Sequence, residues 1–239
     1  MGTVERKVLV ISDKDRKTMA YLEAGHAILA IFLPDDESDP IHKITIIPRG
    51  MALGHTQQLP LTDRHAYTKE YLLSRITILM GGRASEEICL SQQTTGAEDD
   101  FRQAVVLASK MVCQWGMTDE LGPMSYVRDD GAFLGEQLAR NAYSEETGRI
   151  IDREVKSLVE SCYAEARRIL IAEQDFLVYR ADMLLINETL IRKKWRSSTS
   201  APPRRGIRAP TAPPAPEMQI GPAPSPPQTD HSSHCSIFR

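Results

Sequence analysis

Tyr21-Leu22-Glu23-Ala24-Gly25-His26-Ala27 lies in the middle of a run with helical spacing of apolar residues, extending from Ser12 to about Leu33. Ser12 is suited to cap the start of that helix, because its hydroxyl can accept a hydrogen bond from a first-turn N–H. Pro34 and the acidic turn Asp35 to Asp39 stop it. Residues three and four apart share a helix face, so Met19, Leu22, His26 and Leu29 line up. In the motif H-E-x-x-H, two histidines one turn apart bring both imidazoles to a single zinc. The glutamate between them takes a proton from the metal-bound water. Here the first of those positions is Leu22. Glu-x-x-His alone is a weak signal, and His26 by itself would more often be a core or surface histidine than a ligand.

Outward from this helix the pattern stays helical. A second helix is expected over roughly Thr68 to Cys89, with Gly81-Gly82 either weakening its middle or permitting close packing. Thr95 with Glu98 makes a capping box that opens a third from Gly96 or Ala97 to about Trp115, where Gly116 ends it. Ser144 opens a long fourth helix whose apolar stripe is Ile151, Val155, Leu158, Cys162 and Ile169, with Asp152, Glu154, Lys156 and Glu160 facing outward. A last helix is expected from Asp175 to Trp195. Gly122-Pro123 and the turn Asp129-Asp130-Gly131 fall between the third and fourth helices. One hairpin interrupts the series. Ile41 to Pro48 is rich in β-branched residues, Pro48-Arg49-Gly50 supplies the turn, and Met51 to Leu59 returns. The fold class expected is mainly α with a small β-hairpin or sheet.

Composition narrows the function. The chain has 239 residues, 41% of them hydrophobic, enough for one good-sized core. With 29 Lys+Arg against 32 Asp+Glu there is no basic surplus, so nucleic acid is not an expected partner. Cys89, Cys113, Cys162 and Cys235 are widely spaced, three of them within apolar helical patterns, which reads as a reducing compartment without disulfides. No stretch reaches the apolar length that spans a bilayer, and Met1 to Arg6 lacks the apolar core of a signal peptide. The chain by itself is expected to be soluble. From Ala201 onward fall ten of the 15 prolines, mixed with Ser, Gly and Thr, and residues 197–239 are expected to form a disordered proline-rich tail. Its run Ala212-Pro213-Pro214-Ala215-Pro216 suits polyproline II, although a solvated extension is the simpler reading.

Several further strings, in order, carry a resemblance that no single one would. With histidine at position 22, Tyr21 to Ala27 would read Y-H-E-A-G-H-A. His42 to Gly54 reads H-K-I-T-I-I-P-R-G-M-A-L-G. Gly81 to Glu87 reads G-G-R-A-S-E-E, Thr95 to Asp100 reads T-G-A-E-D-D, and Trp115-Gly116-Met117 precedes Leu121-Gly122-Pro123. Together they resemble the peptidase domain of FtsH-type ATP-dependent zinc metalloproteases, over roughly Met1 to Trp195. The match is imperfect at Leu22, and at Ser85, where the family has alanine.

The resemblance implies a helical zincin-like metalloprotease domain over 12–196, preceded by 1–11 as a linker from an AAA+ ATPase module. It implies Glu23 as general base and His26 and Asp100 as two of three zinc ligands, with Leu22 at the position of the missing ligand. An isobutyl group has no lone pair, so the zinc cofactor is expected to be weakly held or absent and proteolysis impaired. Glu86 and Glu87 read as surface carboxylates or as carboxylates that orient the site. Nothing in spacing aims His42 or His55 at His26 as a replacement. The hairpin strand Met51 to Leu59 would bind substrate backbone by β-addition, or else merely cover the helices. No G-x-x-x-x-G-K-[ST] loop occurs, so ATP would be bound only by the absent module. Family resemblance further implies unfolded or membrane proteins as substrates, a homo-hexameric ring, and a place at the cytoplasmic face of a membrane. The alternative is a non-catalytic pseudopeptidase that acts as a ring-assembly or scaffold module.

Overall fold

The computed structural model describes residues 11–34, 38–48, 54–58, 66–127 and 143–191. Helix α1 spans Asp13–Phe32, capped by Ser12, whose side chain accepts from the Asp15 N–H as its sequence position anticipates. Its residues from Met19 to Ala30 are almost continuously buried, Leu22 being half-exposed, so α1 is a central helix covered on nearly every side. Helix α2, Lys69–Leu90, starts at the Thr68 cap and crosses α1 at its glycines. A side-chain carbon on Gly25 would overlap the Gly81 carbonyl oxygen, and one on Gly81 would come within 2.6 Å of Leu29 Cδ1. Gly81-Gly82 therefore serves close packing. Ser85 reinforces it, its Oγ lying 2.7 Å from the Tyr21 carbonyl oxygen of α1.

A 3-10 turn, Thr95–Ala97, leads into α3, Glu98–Cys113. The expected capping box at Thr95 and Glu98 does not form: the N-cap of α3 is Ala97, without a side-chain cap, and the hydroxyl cap belongs to the 3-10 turn. Thr94, not Thr95, provides the hydroxyl, accepting from the Gly96 N–H at 3.1 Å. Gly116, at φ +58°, takes the left-handed conformation that ends this region. Helix α4, Glu145–Ala172, begins at the Ser144 cap and buries Ile151, Leu158, Cys162, Ala166, Ile169 and Leu170, close to the predicted stripe. Helix α5, Gln174–Asn187, packs on α1.

The small sheet expected is present, with one strand beyond the hairpin. Strands β1, Ile41–Thr45, and β2, His55–Gln58, form the antiparallel hairpin, but a third strand, β3, Thr189–Ile191, pairs antiparallel on the other side of β1. The order β2-β1-β3 makes β1 central. The expected helix to Trp195 therefore stops at Asn187, where Glu188 adopts φ +56° and turns the chain into β3. The linker up to residue 10, the turn at Arg49-Gly50, Met51 to Leu53, Asp129-Asp130-Gly131, Trp195, Cys235 and the proline-rich tail lie outside the described residues. Among the described residues no helix is long and apolar enough to cross a membrane.

Candidate functional site

Glu23 and His26 are carried by α1 and Asp100 by the first turn of α3, and the fold brings the three together. His26 is buried. Its Nδ1 stands 2.7 Å from the Ile78 carbonyl oxygen of α2, and its Nε2 stands 3.2 Å from Asp100 Oδ2. Since a carbonyl only accepts, Nδ1 must carry hydrogen, and Nε2 faces the carboxylate. Burial by itself would lower the His26 pKa. The charge and hydrogen bond of Asp100, then Glu23 and the Ile78 carbonyl, overcome it and raise the pKa to about 9. His26 and Asp100 thus form an ion pair that joins α1 to α3.

Glu23 is 5% exposed and points the other way, toward the sheet. Thr56 of β2 donates to Glu23 Oε2 at 2.5 Å. The backbone just before β2 comes so close that a side-chain carbon at Gly54 would lie 2.5 Å from Glu23 Oε1 and 3.0 Å from its Cγ. Burial pushes the Glu23 carboxyl up to about 7, with Asp100 acting in the same direction and His26 and Thr56 opposing. A carboxyl group that titrates near neutrality suits acid–base work. Thr56 is a contact that sequence reasoning missed, because a single threonine in a strand carries no signal until register is known.

Leu22 lies between two glycines. Side-chain carbons at Gly82 and Gly96 would lie 2.9 Å from Leu22 Cγ and 3.2 Å from Leu22 Cδ1 respectively, and the one at Gly82 would also come within 2.8 Å of His26 Nε2. Leucine and imidazole therefore stand side by side over Gly82. These residues do not fit a catalytic zinc, which takes three protein ligands and a water. The corner offers His26 nitrogen and Asp100 oxygen already paired with each other, and hydrocarbon at the third position. Among the described residues no group of three or more His, Cys, Asp or Glu is placed to hold a metal ion. His42 and His55 are both exposed, on strands of the sheet and apart from the buried His26.

Glu86 departs from a surface reading: it is fully buried and accepts from Thr94. Glu87 is half-buried and accepts from Tyr163 and Arg167, which ties α2 to α4.

Glu23 and His26 thus stand on the central helix of a mainly α domain, with Asp100 on a second helix and a β-strand against the glutamate. The profile of Peptidase family M41 matches residues 9–197, and the chain belongs to that family. It is similar to ATP-dependent zinc metalloprotease FtsH of Magnetococcus marinus, with 50% identity over 187 residues, covering 77% of this chain and 28% of that protein. The proteins of the same name from Thermobaculum terrenum and Acidobacterium capsulatum are 48% identical over 189 residues and 47% over 188, each covering 78% of this chain and 29% of the relative. The chain thus spans less than a third of the length of these relatives.

Proposed function

We propose that this chain is the zinc endopeptidase domain of an ATP-dependent, membrane-associated protease, impaired because Leu22 stands at the position of the first zinc ligand. The observation that carries the reading is the closed corner: Leu22 held between Gly82 and Gly96, beside a His26–Asp100 pair that is complete without a metal. In this reading His26 and Asp100 are the surviving ligand pair and Glu23 the general base, still buried and held by Thr56. Among the described residues strand β2 pairs only with β1, and its other edge is a place where an extended peptide backbone would add. Unfolded or membrane proteins are the substrates this lineage implies. A six-membered ring at the cytoplasmic face of a membrane is the matching assembly, with ATP bound by a separate module.

The same packing favours a second reading, a pseudopeptidase that serves ring assembly or as a scaffold. The two differ in turnover by the unaltered chain. The deciding experiment is zinc stoichiometry by elemental analysis, with cleavage of a casein-like unfolded substrate, on the chain and on Leu22→His. One zinc per chain in L22H only, with cleavage, supports the impaired peptidase. Zinc in both at equal stoichiometry shows that another residue completes the site. Failure of L22H to bind zinc overturns the assignment of His26 and Asp100, and residual cleavage by the unaltered chain overturns the pseudopeptidase reading.

A further inference from the structure

Two charged side chains of α2, Glu86 and Arg83, are buried beside the site without touching His26. Glu86 is fully buried, and the Arg83 side chain is 15% exposed. Both grip one residue. The Thr94 hydroxyl donates to Glu86 Oε1 at 2.6 Å, the Thr94 N–H donates to Glu86 Oε2 at 3.2 Å, and Arg83 Nη2 donates to the Thr94 carbonyl at 2.6 Å. Thr94, fixed through hydroxyl, N–H and carbonyl, caps the 3-10 turn from which α3 starts. Arg83 makes a second connection, its guanidinium lying 5.2 Å from the centre of the Phe101 ring. The two attachments bracket Asp100, one at the entry to its helix and one at the next residue.

Burying a carboxylate and a guanidinium removes hydration worth several kcal/mol per ion, so such groups persist where specific partners compensate. Glu86 and Arg83 face each other, with Glu86 Oε2 3.6 Å from Arg83 Nε, and their remaining partners belong to the turn and helix that deliver Asp100. The placement required is strict. Asp100 extends from the exposed first turn of α3 to a buried imidazole on another helix, and a small rotation of α3 would carry its carboxylate out of reach.

We propose that Glu86 and Arg83 are positioning residues: through Thr94 and Phe101 they set the turn and first helical turn that hold the Asp100 carboxylate against His26. The functional meaning of that placement rests on the reading of His26 and Asp100 as the surviving ligand pair.

The test reads the pair directly. The His26 ring signals of the full 15N-labelled chain are recorded at one fixed pH by proton–nitrogen correlation and assigned with His26→Gln. Asp100→Asn supplies the reference for an imidazole that has lost its carboxylate. Glu86→Gln and Thr94→Val are expected to move the His26 signals toward the D100N position, while Thr94→Ser, which keeps the hydroxyl, leaves them near their starting place. In a D100N background E86Q is expected to add no further displacement. A purely structural role would lower the melting temperature and leave the His26 signals unmoved, and that result in both E86Q and T94V overturns the proposal. Should E86Q fail to fold, the contrast between T94V and T94S decides it.

Metal provides a second readout. If L22H binds zinc, adding E86Q is expected to weaken the affinity about 10- to 100-fold, the usual effect of removing a partner that orients a ligand. Unchanged affinity overturns the proposal. If L22H binds no zinc, the peptidase reading fails while the nuclear magnetic resonance result still decides the role of Glu86.

Discussion

Gly25→Ala tests the contact on which the site's placement depends. A methyl group there would overlap the Gly81 carbonyl oxygen and come within 2.8 Å of both Ser85 Cβ and Ser85 Oγ. Carbon–carbon contact is relaxed at about 3.5 Å or more, so α1 and α2 must separate by roughly half an ångström or more. Backbone cannot swing aside as a long side chain would. Overpacking of this kind costs about 1–3 kcal/mol, and parting the helices also weakens the Ser85–Tyr21 hydrogen bond, worth about 1 kcal/mol. Alanine returns up to about 1 kcal/mol through its better helix propensity. The net loss is about 2 kcal/mol, or roughly 4–8 °C in melting temperature for a domain of this size. Thermal unfolding followed by circular dichroism measures it. Gly148→Ala is the control, since its methyl group would meet only the edge of the Tyr143 ring at 3.3 Å, and the melting temperature should hold or rise slightly. A G25A protein that melts at or above the temperature of the unaltered chain refutes the close crossing of α1 and α2.

Stability should fall as pH rises from about 4.5 through 9. Glu23, raised to about 7, stays neutral in the fold to higher pH than in the unfolded chain, so its contribution is whole below its ordinary value of 4.5 and lost as pH climbs through 7. His26, raised to about 9, follows the same sign: its contribution is complete below 6.5 and lost as pH passes 9. Melting temperatures measured across this range in the unaltered chain and in H26Q check it, and an identical slope between pH 6.5 and 9 in both would contradict the ion pair. A chelator should leave the melting temperature of the unaltered chain where it is and lower that of zinc-loaded L22H, because only the latter has a third ligand to hold the metal. Burial pushes the Cys162 thiol up to about 11, so under native conditions at pH 8 it should resist alkylation while half-buried Cys89 and Cys113 label first. Peptide mapping by mass spectrometry after timed labelling reads the order, and early modification of Cys162 would mean that α4 is not packed as described.

The parts of the fold legible in the sequence were those fixed by local chemistry. Ser12 and Ser144 each cap the helix they precede, because the hydroxyl and the N–H it accepts from are only a few residues apart. Strand β3 was not legible. Thr189-Leu190-Ile191 is three residues long and continues the apolar character of α5, and the break before it is made by Glu188 in a left-handed conformation without a glycine to announce it. The 3-10 turn capped by Thr94, in place of a helix capped by Thr95, has a similar cause. Thr94 and Thr95 have the same local chemistry, and the choice between them is made by Glu86 and Arg83 from another helix. At the site, Glu23, His26 and Asp100 were singled out only by the family resemblance of ordered motifs, and the fold brings them together, while Thr56, Gly82 and Gly96 came into view only once strand and helices were placed in space.

The central position of β1 has a consequence for how this chain reaches its native state. Thr45 is hydrogen-bonded to Thr189 at 2.9 Å across a separation of 144 residues. Such distant pairing forms late, because the loop-closure entropy must be met before the contact repays it. During synthesis the hairpin exists for the whole interval in which the four later helices emerge, with one flank of β1 open to any passing strand. The two threonines that close that flank are therefore expected to form one of the last native contacts. Weakening them should increase aggregation of the nascent chain more than it lowers the stability of the finished fold.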